Sequence, residues 1–264
     1  MAYFTMGYWV LGLAMVVSLA GVLVGFACVR QSTMSITTHF RLVWLVAASV
    51  SIGGVGVWLA VFVNMLGVAP PDGTARYDLL RTVGGAVLAI ASILAGLLLA
   101  GRQPRTGKLM LAAVVSGLGL GLTHLLAVAA IRVQGSIDVA AGASIGVLIV
   151  AIVIAAAMLW APLGLRSAGL LTATAAAIAL AVTGMHYLGL IGLALHADKA
   201  ALPPSGEDLF TLFVPVFVLG TLSLAVPITA VLVSPDRTGR MVRSRATAAR
   251  SRGTEQARTP SPIG

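Results

Sequence analysis

Charged residues are scarce in this sequence. Only 9% of its 264 residues are Asp, Glu, Lys or Arg, whereas soluble globular domains carry about 25%. Hydrophobic residues make up 59% of the chain, and the mean hydropathy is +1.02. A chain of this composition cannot cover itself with a polar surface. The sequence therefore excludes a soluble domain and predicts a polytopic membrane protein whose main partner is the lipid bilayer.

Cysteine and catalytic arrangements are also missing. Cys28 is the only cysteine, which excludes an internal disulfide and a cysteine-based metal cluster. No carboxylate pair, nucleophile–base arrangement or phosphate-binding loop is recognisable, so we expect a protein that is not an enzyme. The net charge of +9 lies outside the apolar segments and mostly near the C-terminus, so it does not indicate nucleic-acid binding. A solute transporter is disfavoured because no charged residue lies well inside an apolar segment.

Seven apolar segments predict an all-α fold, since each is near or above the ~20 residues that a spanning helix needs. The three helix pairs and a seventh helix would form one membrane domain over residues 1–233. The Arg-rich remainder, 234–264, has few apolar residues and is expected to be a disordered cytoplasmic tail that contacts anionic lipid headgroups. The predicted helices span roughly 7–29, 42–68, 79–101, 109–131, 139–161, 167–195 and 209–233.

The distribution of Lys and Arg predicts the orientation in the plasma membrane. Positive residues concentrate on the cytoplasmic side, which places the N-terminus outside and the C-terminus inside. The predicted inner side holds Arg30, Arg41, Arg102, Arg105, Lys108, Arg166 and seven tail arginines, against Arg76, Arg81, Arg132 and Lys199 on the outer side.

A short motif recurs in segments two, four and six. Residues 183–190 read TGMHYLGL, residues 119–124 read GLGLTH, and residues 54–61 read GVGVWLAV. In register, the equivalent positions are 61, 124 and 186, with spacings of 63 and 62 residues. A constant period indicates a structural repeat. Under the predicted topology, all three positions lie at one depth in the outer half of the membrane.

These motifs resemble those of the MHYT family of bacterial membrane sensor domains, whose motif reads Met-His-Tyr-x-Gly-Met. The copy at 185–190 matches at four of five fixed positions, the copy at 123–128 keeps only His124, and the copy at 60–65 keeps Met65 and an aromatic residue. The resemblance implies seven helices, an outer N-terminus, copper binding through Met and His, and sensing of oxygen, carbon monoxide or nitric oxide. Family members often carry cytoplasmic signalling domains, which this sequence does not show, so we expect a separate cytoplasmic signalling partner.

Four residues form the predicted metal site: Met65, His124, His186 and Met185. Residues four apart share a helix face, but Val128 and Leu190 replace the methionines that would pair locally with the histidines. A site must therefore be pooled from three helices, with Met185 joining according to helix rotation. Imidazole with thioether sulfur suits copper, especially Cu(I).

Several alternatives remain open at this point. The histidines could instead bind haem, or each could bond a backbone carbonyl or a hydroxyl such as Thr123 or Thr183. His196 is a further candidate for metal entry at the outer surface. If the histidines only form hydrogen bonds, the protein would be a degenerate structural or partner-assembly membrane protein that keeps the fold and has lost the metal site.

Overall fold

A computed structural model describes residues 2–3, 6–69, 75–102, 105–198 and 200–233. Seven of its helices are long and apolar enough to cross a membrane, which confirms the predicted all-α polytopic fold. They are α1 (Trp9–Met34), α2 (Thr38–Met65), α3 (Leu79–Ala100), α4 (Thr106–Ala129), α5 (Ala141–Gly164), α6 (Ala168–Ile191) and α7 (Leu209–Val233).

Polar residues just before the helices set several of their starts. The side chains of Thr37, Asp78 and Asp208 accept hydrogen bonds from backbone N–H groups in the first turns of α2, α3 and α7. Such N-caps satisfy donors that have no partner within the helix. At the other end of α3, Gly101 adopts a φ of +75°, a conformation that glycine reaches without strain.

Two helices end away from the predicted positions. Helix α1 continues to Met34 rather than residue 29, because the guanidinium of Arg30 stays within the fold and donates to the carbonyls of Pro162 and Leu165. Helix α6 ends at Ile191 rather than residue 195, because the chain beyond it pairs as a strand.

Within the described ranges, six strands form three small antiparallel sheets that the sequence did not predict. The strands are β1 (Ala2–Tyr3), β2 (Val68–Ala69), β3 (Arg76–Tyr77), β4 (Ile131–Arg132), β5 (Gly135–Val139) and β6 (Leu193–Ala197), paired β1–β2, β3–β4 and β5–β6. They precede the odd-numbered helices or follow the even-numbered ones, so they lie at one end of the bundle. We name this the hairpin end; the charge distribution predicts that it faces outward.

Helix α2 packs centrally, and its middle part, Val50–Leu59, is π-helical. Its neighbours approach very closely at glycines. A Cβ on Gly21 of α1 would lie 2.5 Å from the backbone nitrogen of Gly56, and a Cβ on Gly53 would lie 2.5 Å from the carbonyl oxygen of Ala89 in α3. The Ser18 hydroxyl donates to the Gly56 carbonyl at 2.6 Å. The glycine-rich motif of α2 therefore serves helix contact.

The chain separates into a compact unit, Met1–Ile228, and a second unit, Thr229–Gly264. Only residues 229–233 of the second unit are described, as the last turn of α7. The predicted tail, 234–264, lies outside the described residues and stays a prediction.

Candidate functional site

Two of the repeated motif positions, 61 and 124, line one small cavity of about 20 Å³, and Met185 lines it beside the third position. Helix α2 contributes Val61 and Met65, α4 contributes His124, and α6 contributes Met185. Each of these side chains is at most 5% exposed. The structure thus brings three of the four predicted site residues to a common cavity near the hairpin end.

The fourth residue, His186, lies directly against His124. Their ring centres are 5.7 Å apart and the rings are nearly perpendicular, at 84°. His124 is 2% exposed and His186 is fully buried. Because His124 both lines the cavity and contacts His186, it links the two parts of the predicted site.

Neither histidine is held by hydrogen bonds within the described part of the chain. All four ring nitrogens are buried and have no hydrogen-bond partner there. The hydroxyl of Thr123 donates to Gly119 in its own helix instead, and the hydroxyl of Thr183 is itself buried without a partner among the described residues. The structure therefore does not support hydrogen bonding to these threonines as the reason for two buried histidines.

Unpaired buried polar atoms are expensive, at about 1–3 kcal/mol each. Besides the imidazoles and Thr183, the amide oxygen of Asn64 is buried without a partner in the described structure, although its nitrogen donates to Ala60 at 3.1 Å. These atoms belong to the halves of α2, α4 and α6 that lie nearer the hairpin end. Their concentration at the motif positions makes this group of side chains the candidate site.

Gly189, the glycine of the intact motif copy, makes room for the histidine of the neighbouring helix. A Cβ at this position would lie 1.9 Å from Nε2 of His124. Any other residue would displace the imidazole from its place beside His186. Sequence reasoning recorded this glycine in the motif but did not assign its role, since nothing in the sequence shows which helix packs against it.

Aromatic residues enclose the cavity. Trp58 and Phe62 of α2 line it and stack on each other, with ring centres 5.6 Å apart at 16°. Tyr77 of β3 also lines it, and burial together with Asp208 raises the pKa of this phenol to about 12. Tyr187 packs edge-on to His186, with the two ring centres 5.4 Å apart. Trp58 of the motif is therefore a cavity residue, and Tyr77 was missed because it lies outside the motif.

The other histidines lie elsewhere. His196 of β6 is exposed and its Nδ1 lies 3.2 Å from a carboxylate oxygen of Asp138; His39 is exposed near the start of α2. Among the described residues, no group of three or more His, Cys, Asp or Glu side chains could hold a metal ion. Any further protein ligand for a metal at the His124–His186 pair would therefore have to be of another type, such as the thioethers of Met65 and Met185.

Imidazole and thioether are donor types that copper takes. Two imidazoles on one metal, each with its nitrogen about 2 Å away, have ring centres about 5–6 Å apart, which is the separation found here. Met65 and Met185 line the cavity beside His124, and thioether sulfur with imidazole is a soft donor set of the kind that selects Cu(I). Haem does not fit, because a cavity of about 20 Å³ holds little more than one water molecule.

The fold and the site define a seven-helix membrane protein with buried histidines and methionines near one end of the bundle. Residues 54–113 match the model of the MHYT family, described as a bacterial signalling protein N-terminal repeat. This match confirms the resemblance and indicates a membrane signalling domain. The matched segment includes Trp58 and Met65 and ends before His124. No curated protein and no solved structure matches the chain.

Proposed function

We propose that this protein is an MHYT-like membrane sensor that binds one copper ion between His124 and His186, with Met65 and Met185 as sulfur donors. One observation carries the proposal. Two buried imidazoles lie in contact, with no hydrogen-bond partner among the described residues, beside a cavity lined by two methionines. A bound metal would satisfy nitrogens that are otherwise buried at a cost in free energy.

The surroundings suit a reduced, gas-responsive ion. Thioethers favour Cu(I) over harder ions, and the apolar walls exclude bulk water. A cavity of about 20 Å³ leaves room for one small molecule next to the metal. Binding of a diatomic gas, or oxidation of the ion, would change the ligand arrangement. The signal would pass to a separate cytoplasmic protein through the helices that carry the site, since α2, α4 and α6 all run from it to the opposite end of the bundle.

Copper loading tests this proposal. Purified protein would be loaded with Cu(I) under reducing conditions and analysed for metal, alongside His124→Ala/His186→Ala. The matched control is His39→Ala/His196→Ala, which removes two exposed histidines. We expect near-stoichiometric copper in the parent and the control, and none in the His124/His186 variant. Equal, negligible copper in all three proteins would refute the proposal.

A second candidate is the degenerate assembly protein. It is favoured by Val128 and Leu190, which fill with buried aliphatic side chains the positions where the family motif places methionine. If no ligand is used, His124→Leu/His186→Leu removes only unpaired buried nitrogens and should raise the melting temperature. Under the copper proposal, this variant instead loses the stabilisation that Cu(I) confers on the parent.

A further inference from the structure

A second and much larger cavity opens at the hairpin end of the bundle. Its volume is about 610 Å³, within the range of about 300–1,000 Å³ typical of small-molecule sites. It lies between the last turns of α4, the strands β4 and β5, and a wall formed by residues 203–205. We name it the hairpin cleft. It is distinct from the histidine cavity, which opens on another face of α4.

Two guanidinium groups line the cleft, those of Arg81 and Arg132. Arg132 pairs with Asp78 at 2.7 Å, and Arg81 donates to the carbonyl of Ala129. A guanidinium carries five N–H donors, so each group retains donors beyond these contacts. Asp78 lies outside the lining, but its carboxylate pairs with Arg132 and offsets one of the two positive charges. These three groups therefore leave the cleft with one net positive charge and with unused hydrogen-bond donors.

Strand alternation keeps the nearest hairpin carboxylate out of the cleft. Successive side chains of a strand point to opposite faces. Ile137 and Val139 of β5 line the cleft, whereas Asp138 between them lies beside His196 at 3.2 Å. One face of this hairpin thus supplies apolar surface, and its acidic residue is turned to the other face.

The first turn of α5 adds to the positive potential. Ser144, in this turn, lines the cleft. The N-cap is Ala140, which offers no side-chain acceptor to the helix. A helix N-terminus attracts anions through the helix dipole, and the N–H of Ser144 itself donates to the carbonyl of Ala140. The arginines therefore supply the free donors for an oxyanion, and the helix dipole adds to the potential.

We propose that the hairpin cleft binds an amphiphilic organic anion. A carboxylate or phosphate group would lie between Arg81 and Arg132, in the charge-assisted geometry that arginine favours. A hydrocarbon portion would lie on Leu125, Ile131 and Ile137, which form much of the apolar lining. Such a ligand could be a free organic acid or a phospholipid of the surrounding leaflet, since both present an oxyanion joined to hydrocarbon.

Two binding arms separate these sources. In the first, octanoate is titrated into full-length protein in a neutral detergent. In the second, protein in phosphatidylcholine nanodiscs doped with phosphatidylglycerol is analysed for lipid retained after detergent extraction. Saturable octanoate binding indicates a free acid, whereas selective retention of phosphatidylglycerol indicates a lipid.

Val139→Asp adds a negative charge on the cleft face and leaves both arginines in place. Val139 is 43% exposed, so the change is compatible with folding. Its matched control is Ser136→Asp, on the same strand outside the lining residues. We expect Val139→Asp to weaken whichever probe binds by about tenfold or more, and Ser136→Asp to have little effect.

Arg81→Gln/Arg132→Gln should abolish binding of the probe. Arg76→Gln is its control, because Arg76 lies outside the cleft lining. Circular dichroism and the melting temperature would establish that each variant is folded. Either probe behaving in this pattern supports the proposal. Absence of saturable binding by both probes, or equal binding by Val139→Asp and Ser136→Asp, would overturn it.

Discussion

Replacing Gly189 by alanine should separate the two buried histidines. The new Cβ would lie 1.9 Å from Nε2 of His124, whereas non-bonded atoms of this size need about 3.5 Å. The imidazole must therefore retreat by about 1.5 Å or rotate away. Ligands in metal sites hold their distances within about 0.2 Å, so His124 could no longer share a metal ion with His186.

We expect the Cu(I) affinity to fall by about 100-fold. Losing the residues that position a metal ligand lowers metal affinity by about 10–100-fold, and this change moves the ligand itself. Overpacking should also destabilise the metal-free protein by about 1–3 kcal/mol. Affinity is measured by competition with a chromophoric Cu(I) chelator under anaerobic conditions.

Gly184→Ala is the matched control for this change. It adds the same methyl group to the same helix at an exposed position where a Cβ meets nothing within 4 Å. The control should bind Cu(I) like the parent. If Gly189→Ala also binds Cu(I) as tightly as the parent, then His124 is not a ligand and the reasoning fails.

Two further predictions concern stability. Gly53→Ala places a Cβ 2.5 Å from the backbone carbonyl of Ala89, so thermal unfolding should show that the free energy of unfolding falls by about 1–3 kcal/mol. Gly54→Ala is the control, because its Cβ meets only a side chain at 3.3 Å, and it should lose less stability. Equal losses in the two variants would contradict the close contact at Gly53. The pKa of Asp78 is held below its ordinary value of 3.8, first by a hydrogen bond from Arg132 and then by a backbone N–H. The ionised Asp78 carboxylate therefore stabilises the fold at neutral pH, and this contribution is lost as the pH falls through its lowered pKa. The melting temperatures of the parent and Asp78→Asn should differ most above pH 4 and converge in acid.

The helices were predictable because hydropathy acts over whole segments. Each spanning helix needs a long apolar run, and the loops between them contain proline, glycine and charge. The predicted end of α6 differs from the observed one because hydropathy does not show where a helix ends within an apolar run. Residues Leu193, Ala194 and Leu195 continue the apolar run, so composition does not distinguish their strand pairing with β5 from one more helical turn.

The sequence predicted that the motif positions come together, and it did not predict the geometry in which they do so. The period of the motif identified positions 61, 124 and 186, and the structure places all three where α2, α4 and α6 meet. The close contact of His124 with Gly189 depends on which helices pack together, and a single sequence contains no such information. The π-helical part of α2, which packs closely against Gly21 and Ala89, was likewise not predicted.

X-ray absorption spectroscopy of the Cu(I)-loaded protein tests the pooled copper site most directly. We predict scattering from two imidazoles together with a sulfur shell, and loss of that sulfur shell in Met65→Leu/Met185→Leu with both imidazoles retained. A spectrum without imidazole scattering, or a sulfur shell that survives in the double methionine variant, would contradict a site shared by these four residues.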